Sequence, residues 1–184
     1  MTRAFAIAFA TVLATLTGTC VALAQSTGPS DQQPAPPLAP VVSGLAEADL
    51  VNFLRGLDGN LQTKPIKDGT VFHLTLRRDG WMYQLRVTSF AGSVWVDATL
   101  GEPLADVQKV PGQQLVQLLQ STFDIGPSHF CFAKLDNGKL QLYLCRYLER
   151  PNLTVDRLRE QIDLFCGQVR NTYPAWNAVL TAVK

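Results

Sequence analysis

Residues 71–89 read VFHLTLRRDGWMYQLRVTS, and this stretch decides the fold. Asp79-Gly80 stands between two runs of alternating apolar residues and suits a two-residue type I′ turn, which needs positive φ at both positions. That turn pairs Arg78 with Trp81, Leu76 with Tyr83, Leu74 with Leu85 and Phe72 with Val87. The large apolar residues then share one face, while Thr75 with Gln84 and His73 with Arg86 share the other. Turn chemistry and apolar alternation are independent signals, and they specify the same register.

Working outward, Leu50, Phe53, Leu54 and Leu57 recur at helical spacing, with Glu47 and Asp49 in the first turn, where the helix dipole favours acids. A third strand is expected from Ser93 to Leu100, after a turn at Ala91-Gly92. A second helix is expected after Pro111, with Leu115, Leu118, Leu119 and Phe123 as its inward stripe. Gln113, Gln114, Gln117 and Gln120 then form its outer face, and no charged residue occurs from Val110 to Phe123. Two readings of this uncharged face stay open: a solvated surface, or an interface, since a solvated amphipathic helix usually carries charge there.

A second hairpin lies within SHFCFAKLDNGKLQLYLCRYLE. A three-residue loop Asp136-Asn137-Gly138, with Gly138 left-handed, sets Phe132 opposite Leu142 and Phe130 opposite Leu144. Cys131, Tyr143, Cys145 and Tyr147 share the reverse face, with Cys131 diagonal to Cys145. Diagonal neighbours lie beyond ordinary disulfide geometry, so no bond is expected between these two. A third helix starts at a Thr154 N-cap and carries Leu158, Ile162, Phe165, Val169 and Thr172 inward, with Cys166 at the border of the stripe. Pro174 ends or kinks it. The order is helix, three strands, helix, two strands, helix. This implies an α+β fold with an antiparallel sheet flanked by helices.

The ends of the 184-residue chain read differently. Residues 1–24 place Arg3 ahead of an apolar run and end in Ala22-Leu23-Ala24, the pattern of an export signal cleaved before Gln25. The run is short of the ~20 residues that span a bilayer, and no later segment is apolar enough, so no membrane span is expected after signal removal. Residues 25–44 hold five of the 11 prolines and read as a linker. The α+β domain is assigned to 45–178 and a C-terminal tail to 179–184. The reading implies an exported protein, periplasmic or extracellular.

Composition narrows the function by exclusion. Basic residues number 16 and acidic ones 15; loss of Arg3 (16 − 1) leaves 15 against 15. A net charge near zero argues against nucleic acid as a partner. His73 and His129 stand alone, and no metal-ligand cluster, nucleophile elbow, phosphate loop or dinucleotide motif occurs. Asp97 and Glu102 read as turn residues. Three cysteines follow the signal, none in C-x-x-C spacing. No catalytic, cofactor-binding or metal residue is therefore assigned.

The segment LVQLLQSTFDIGPSHFCFAKLDNGKLQLYLCRYLERPNLTVDRLREQIDLF, residues 115–165, resembles the type III secretion chaperone-like fold shared by the Tir-chaperone and YbjN-type (putative sensory transduction regulator) families. The resemblance extends over about Leu45 to Trp176. It implies a non-enzymatic protein-binding module, since chaperones of this fold are typically homodimers that hold an extended segment of another protein. Those chaperones are cytosolic and usually acidic; the export signal and balanced charge here imply a periplasmic or surface module instead. The candidate binding residues are Gln113, Gln117 and Gln120 on the second helix, with Tyr143 and Tyr147 on the reverse face of the second hairpin. The partner is a protein or a second copy of the chain. The rival expectation is a periplasmic enzyme or small-ligand binder with an unrecognised site.

Overall fold

A computed structural model describes residues 44–90 and 92–183. The export signal (1–24) lies outside the described residues, as does the linker (25–44) up to residue 43. The chain runs α1 (Glu47–Leu57), β1 (Gln62–Ile66), β2 (Gly69–Arg78), β3 (Trp81–Phe90), β4 (Ser93–Leu104), α2 (Gly112–Asp124), β5 (His129–Lys134), β6 (Leu140–Glu149), α3 (Val155–Asn171) and α4 (Tyr173–Thr181). The strands form one antiparallel sheet in the order β1-β2-β3-β4-β6-β5. The fold class is α+β.

Both hairpins have the register that the sequence specifies. In β2–β3, Phe72 faces Val87, Leu74 faces Leu85 and Leu76 faces Tyr83. Asp79 (φ 51°) and Gly80 (φ 78°) both take positive φ, as a type I′ turn requires. In β5–β6, Phe130 faces Leu144 and Phe132 faces Leu142, and Gly138 is left-handed at φ 80°.

One side of the sheet holds the core. Phe72, Leu74, Leu85, Val87, Val94, Val96, Leu142 and Leu144 pack in a single cluster with Leu50 and Leu54 of α1, Leu118 of α2, Leu158, Ile162 and Phe165 of α3, and Val179 of α4. The alternate residues of the same strands, among them Thr75, Arg86, Trp95, Asp97, Tyr143 and Cys145, are absent from that cluster. Helices cover this face of the sheet; among the described residues no helix covers the other, the open face.

Two elements exceed the expected three-plus-two strands and three helices. β1, QTKPI, is exposed along its whole length. It pairs with β2 through backbone alone, so it leaves no alternation to read. Its Lys64 and Pro65 blunt that edge of the sheet against further pairing. The second is α4. Pro174 lies in the first turn of this new helix, where the missing N–H is harmless. Val179 and Leu180 are buried in the core, so the domain continues through residues that the sequence reading assigned to a tail beginning at 179. Leu180 also lies against Gly101, whose φ of 55° is a left-handed conformation that favours glycine.

Polar contacts fix the layers. Arg150 donates to the Leu45 and Phe90 carbonyls, to Ser89 Oγ and to the Glu47 carboxylate, joining the start of α1 to the β3–β4 end of the sheet. At the β2–β3 tip, Arg78 pairs with Asp163 and Asp79 with Arg170 of α3. Trp81 packs edge-on against Tyr173, which meets Trp176 in the same way.

Candidate functional site

Two surfaces carry the candidate residues, and the fold keeps them apart. α2 belongs to the helix layer. Gln113, Gln117 and Gln120 are exposed on it, as the sequence reading requires. Tyr143 and Tyr147 lie on the open sheet face, Tyr143 half-buried and Tyr147 exposed. The sheet therefore separates the glutamines from the tyrosines, and the five residues do not form one site.

The inward stripe of α2 differs from expectation. Leu118 is buried, but Leu119 is 63% exposed and Phe123 90% exposed, with Val116 beside them at 52%. The inward residues are Leu118 and Ile125, supported by half-buried Leu115 and Thr122. Successive helix residues are turned by about 100°, so fixing Leu118 and Ile125 inward carries Leu119 and Phe123 to the outside. The outer face of α2 is thus an apolar stripe, Val116-Leu119-Phe123, bordered by uncharged glutamines. The helix itself packs beside β5, the second edge of the sheet, whose sequence HFCFA carries neither proline nor lysine before Lys134.

The open sheet face is built on a row of paired residues that crosses five strands: His73, Arg86, Asp97, Cys145 and His129. Asp97 is no turn residue. It lies buried in mid-β4 and accepts two hydrogen bonds from Arg86, at 2.9 Å from Nε and 2.7 Å from Nη2. Burial alone would lower the Arg86 pKa; the hydrogen bond and charge of Asp97 more than reverse this and raise it. The same guanidinium lies 5.1 Å from the centre of the Tyr143 ring, a cation–π contact. Trp95 meets Tyr147 edge-on at 5.3 Å and His129 at 6.5 Å.

Beside this row, Cys131 and Cys145 depart from what their diagonal placement predicts. The diagonal register holds, since Cys131 pairs with Tyr143 and Cys145 with His129. Yet the two Sγ atoms are 2.8 Å apart, in hydrogen-bond contact as free thiols. Sheet twist shortens one diagonal of a strand pair and lengthens the other, and untwisted spacing misses this. The hydrogen bond from Cys145 holds the Cys131 thiol below its ordinary pKa. That shared bond, then burial and the Asp97 charge, push the Cys145 thiol far up. Cys166 is on the covered side, within the core.

Several of these residues escaped the sequence reading. The Arg86–Asp97 pair was within reach of it. A two-residue connection at Ala91-Gly92 pairs Ser89 with Val94, and counting back gives Arg86 opposite Asp97. Arg146 had no such signal. It is buried beneath α3, with no carboxylate partner among the described residues, bonded to Gln161, Gln168 and Ser128, and burial lowers its pKa. A surface concavity of about 580 Å³ is shallow and polar, lined by Asp58, His73, Thr75, Arg77 and Gln84. There the Asp58 carboxylate accepts hydrogen bonds from the Thr75 and Asn60 amides, which lower its pKa.

No family model matches the chain, and no curated protein does. A crystal structure of an uncharacterized protein from Methanothermobacter thermautotrophicus is similar over 74% of this chain and 98% of that one, at 9% identity and a TM-score of 0.47. A likeness at that level carries no information about family or function.

Proposed function

We propose that the chain is an exported, non-enzymatic protein-binding module of chaperone-like architecture, and that the outer face of α2 is where it meets a second copy of itself. The observation that carries this is the stripe Val116-Leu119-Phe123, with Phe123 90% exposed. A contiguous outward apolar stripe on a helix marks a protein contact more often than a solvated face. Two features favour a second copy over a dissimilar partner. The surface from Val110 to Phe123 has no charge, so it offers no electrostatic complementarity to select another protein. A helix stripe can also pair with its own copy about a two-fold axis, and the unblunted β5 edge beside it can do the same. The resemblance to the type III secretion chaperone-like fold, whose members are typically homodimers, agrees with this reading.

Light scattering on the full domain tests it. The expected mass is that of two chains, falling to one in the double variant Leu119→Glu/Phe123→Glu while circular dichroism stays native. A wild-type monomer that also recovers no partner from envelope extract would remove the case for this surface. A wild-type monomer that recovers one protein, lost in the double variant, would keep the surface and replace the second copy with that partner.

A further inference from the structure

The thiols of Cys131 and Cys145 lie on the open sheet face, across the sheet from the α2 stripe, and their arrangement has chemistry of its own. They lie on adjacent strands of the open face, with Sγ atoms 2.8 Å apart and both thiols free. Cys131 is half-buried, on the edge strand, and reachable from solvent; Cys145 is buried behind it. The hydrogen bond from Cys145 favours the Cys131 thiolate against burial and the Asp97 charge, while the same bond, burial and the Asp97 charge all disfavour ionisation of Cys145. The two sulfurs therefore differ in role, one a nucleophile and the other a proton-bearing neighbour held within reach of it.

We propose that Cys131 and Cys145 form a redox-active dithiol on the open sheet face, which reduces an incoming small-molecule or protein disulfide and closes as an intramolecular cross-strand bond. The Cys131 thiolate attacks one sulfur of the incoming disulfide, forming a mixed disulfide and expelling the first thiolate, which takes a proton from solvent. Cys145 then attacks the Cys131 sulfur, forming the Cys131–Cys145 bond. The second thiolate leaves and takes up the proton that Cys145 gives up. Two electrons pass from the protein thiols to the incoming disulfide, which departs as two thiols.

Metal binding fits the pair less well. A tetrahedral zinc with ~2.3 Å bonds to sulfur holds two thiolates about 3.8 Å apart, wider than this pair sits. Among the described residues, no group of three His, Cys, Asp or Glu side chains could complete such a site. The Asp97 carboxylate beside the sulfurs is already bonded to Arg86.

Oxidised glutathione is the probe. The reduced full-length protein is incubated with it under native conditions, quenched with an alkylating agent, and mapped without reduction. The expected product has lost two hydrogens in mass and yields one peptide linking Cys131 to Cys145, with Cys166 alkylated only after unfolding. Cys145→Ala should instead accumulate one glutathione on Cys131, because the resolving thiol is gone, whereas Cys131→Ala should leave Cys145 unmodified. The wild-type map decides the matter even if a variant fails to fold. A linked peptide containing Cys166, a persistent glutathione adduct on wild type, or two thiols that stay unreacted would each overturn the proposal.

Discussion

Alkaline pH should destabilise this domain through one thiol in its core. Cys166 is 3% exposed, on the inward side of α3. Burial pushes its pKa from 9.0 up to about 11, with the Arg78 charge opposing a little. Below the unfolded value of 9.0 the thiol is neutral in both states, and its full contribution to stability is present. As pH rises toward the folded value the unfolded chain ionises and the folded one does not, so stability falls through that interval and then levels. At 1.36 kcal/mol per pKa unit the interval is worth about 3 kcal/mol, a large part of the roughly 5–15 kcal/mol that holds a domain together. Cys145 and Tyr83 are also raised, so wild type should lose more than this in total. Cys166→Ala isolates the one thiol. Urea unfolding followed by circular dichroism, with reductant present, gives the stability of both proteins at about pH 8 and about pH 11.5, and the difference of differences cancels the packing lost in the variant. The variant should lose about 3 kcal/mol less than wild type on going alkaline. Equal losses would show that Cys166 ionises as an ordinary thiol, and the burial argument for the α3–sheet core would fail with it.

Three further outcomes are expected. Leu74→Ala, on the core side of β2, should cost about 2–5 kcal/mol in urea unfolding, and Thr75→Ala, on the open side, under about 1 kcal/mol; a reversed order would refute the face assignment of the hairpin. On α2, Leu118→Ala should cost about 2–5 kcal/mol, while Phe123→Ala should leave the folding stability of the monomer within about 0.5 kcal/mol, measured at concentrations low enough to dissociate any dimer. Intact mass of the protein from its native envelope fraction should begin at Gln25, lacking residues 1–24; a chain that retains Met1, or one carrying lipid on Cys20, would contradict export by a cleaved signal.

The parts of the fold legible in the sequence are those where two independent local signals coincide. At Asp79-Gly80 and at Gly138 the turn chemistry fixes a register, and the apolar alternation on either side demands the same one. A one-residue slip would turn every large side chain to the wrong face, so the coincidence leaves little freedom. β1 had neither signal, because a fully exposed edge strand is held by backbone hydrogen bonds that any sequence supplies. α4 was hidden by Pro174, which ends one helix and begins the next with the same residue. The sulfur contact between Cys131 and Cys145 depends on sheet twist, a property of the assembled sheet that no strand sequence carries.

The error at α2 has a different character, and it bears on function. The sequence from Leu115 to Ile125 supplies more apolar residues than one face of a helix can bury: Leu115, Val116, Leu118, Leu119, Phe123 and Ile125. Two overlapping stripes fit helical spacing about equally well, one through Leu118 and Ile125 and one through Leu119 and Phe123. Periodicity alone cannot choose between them. The choice falls to residues remote in sequence, since α4 packs against α2 and brings Trp176, Val179 and Leu180 into the shared core. Whichever stripe that core takes, the other must face outward. An excess of apolar residues on a short helix whose one charge, Asp124, stands at its end is therefore itself a signal of a contact surface, readable before the orientation of the helix is known. The glutamines point to the same helix for a weaker reason. They border the surface, while the side chains able to release water on contact are Val116, Leu119 and Phe123.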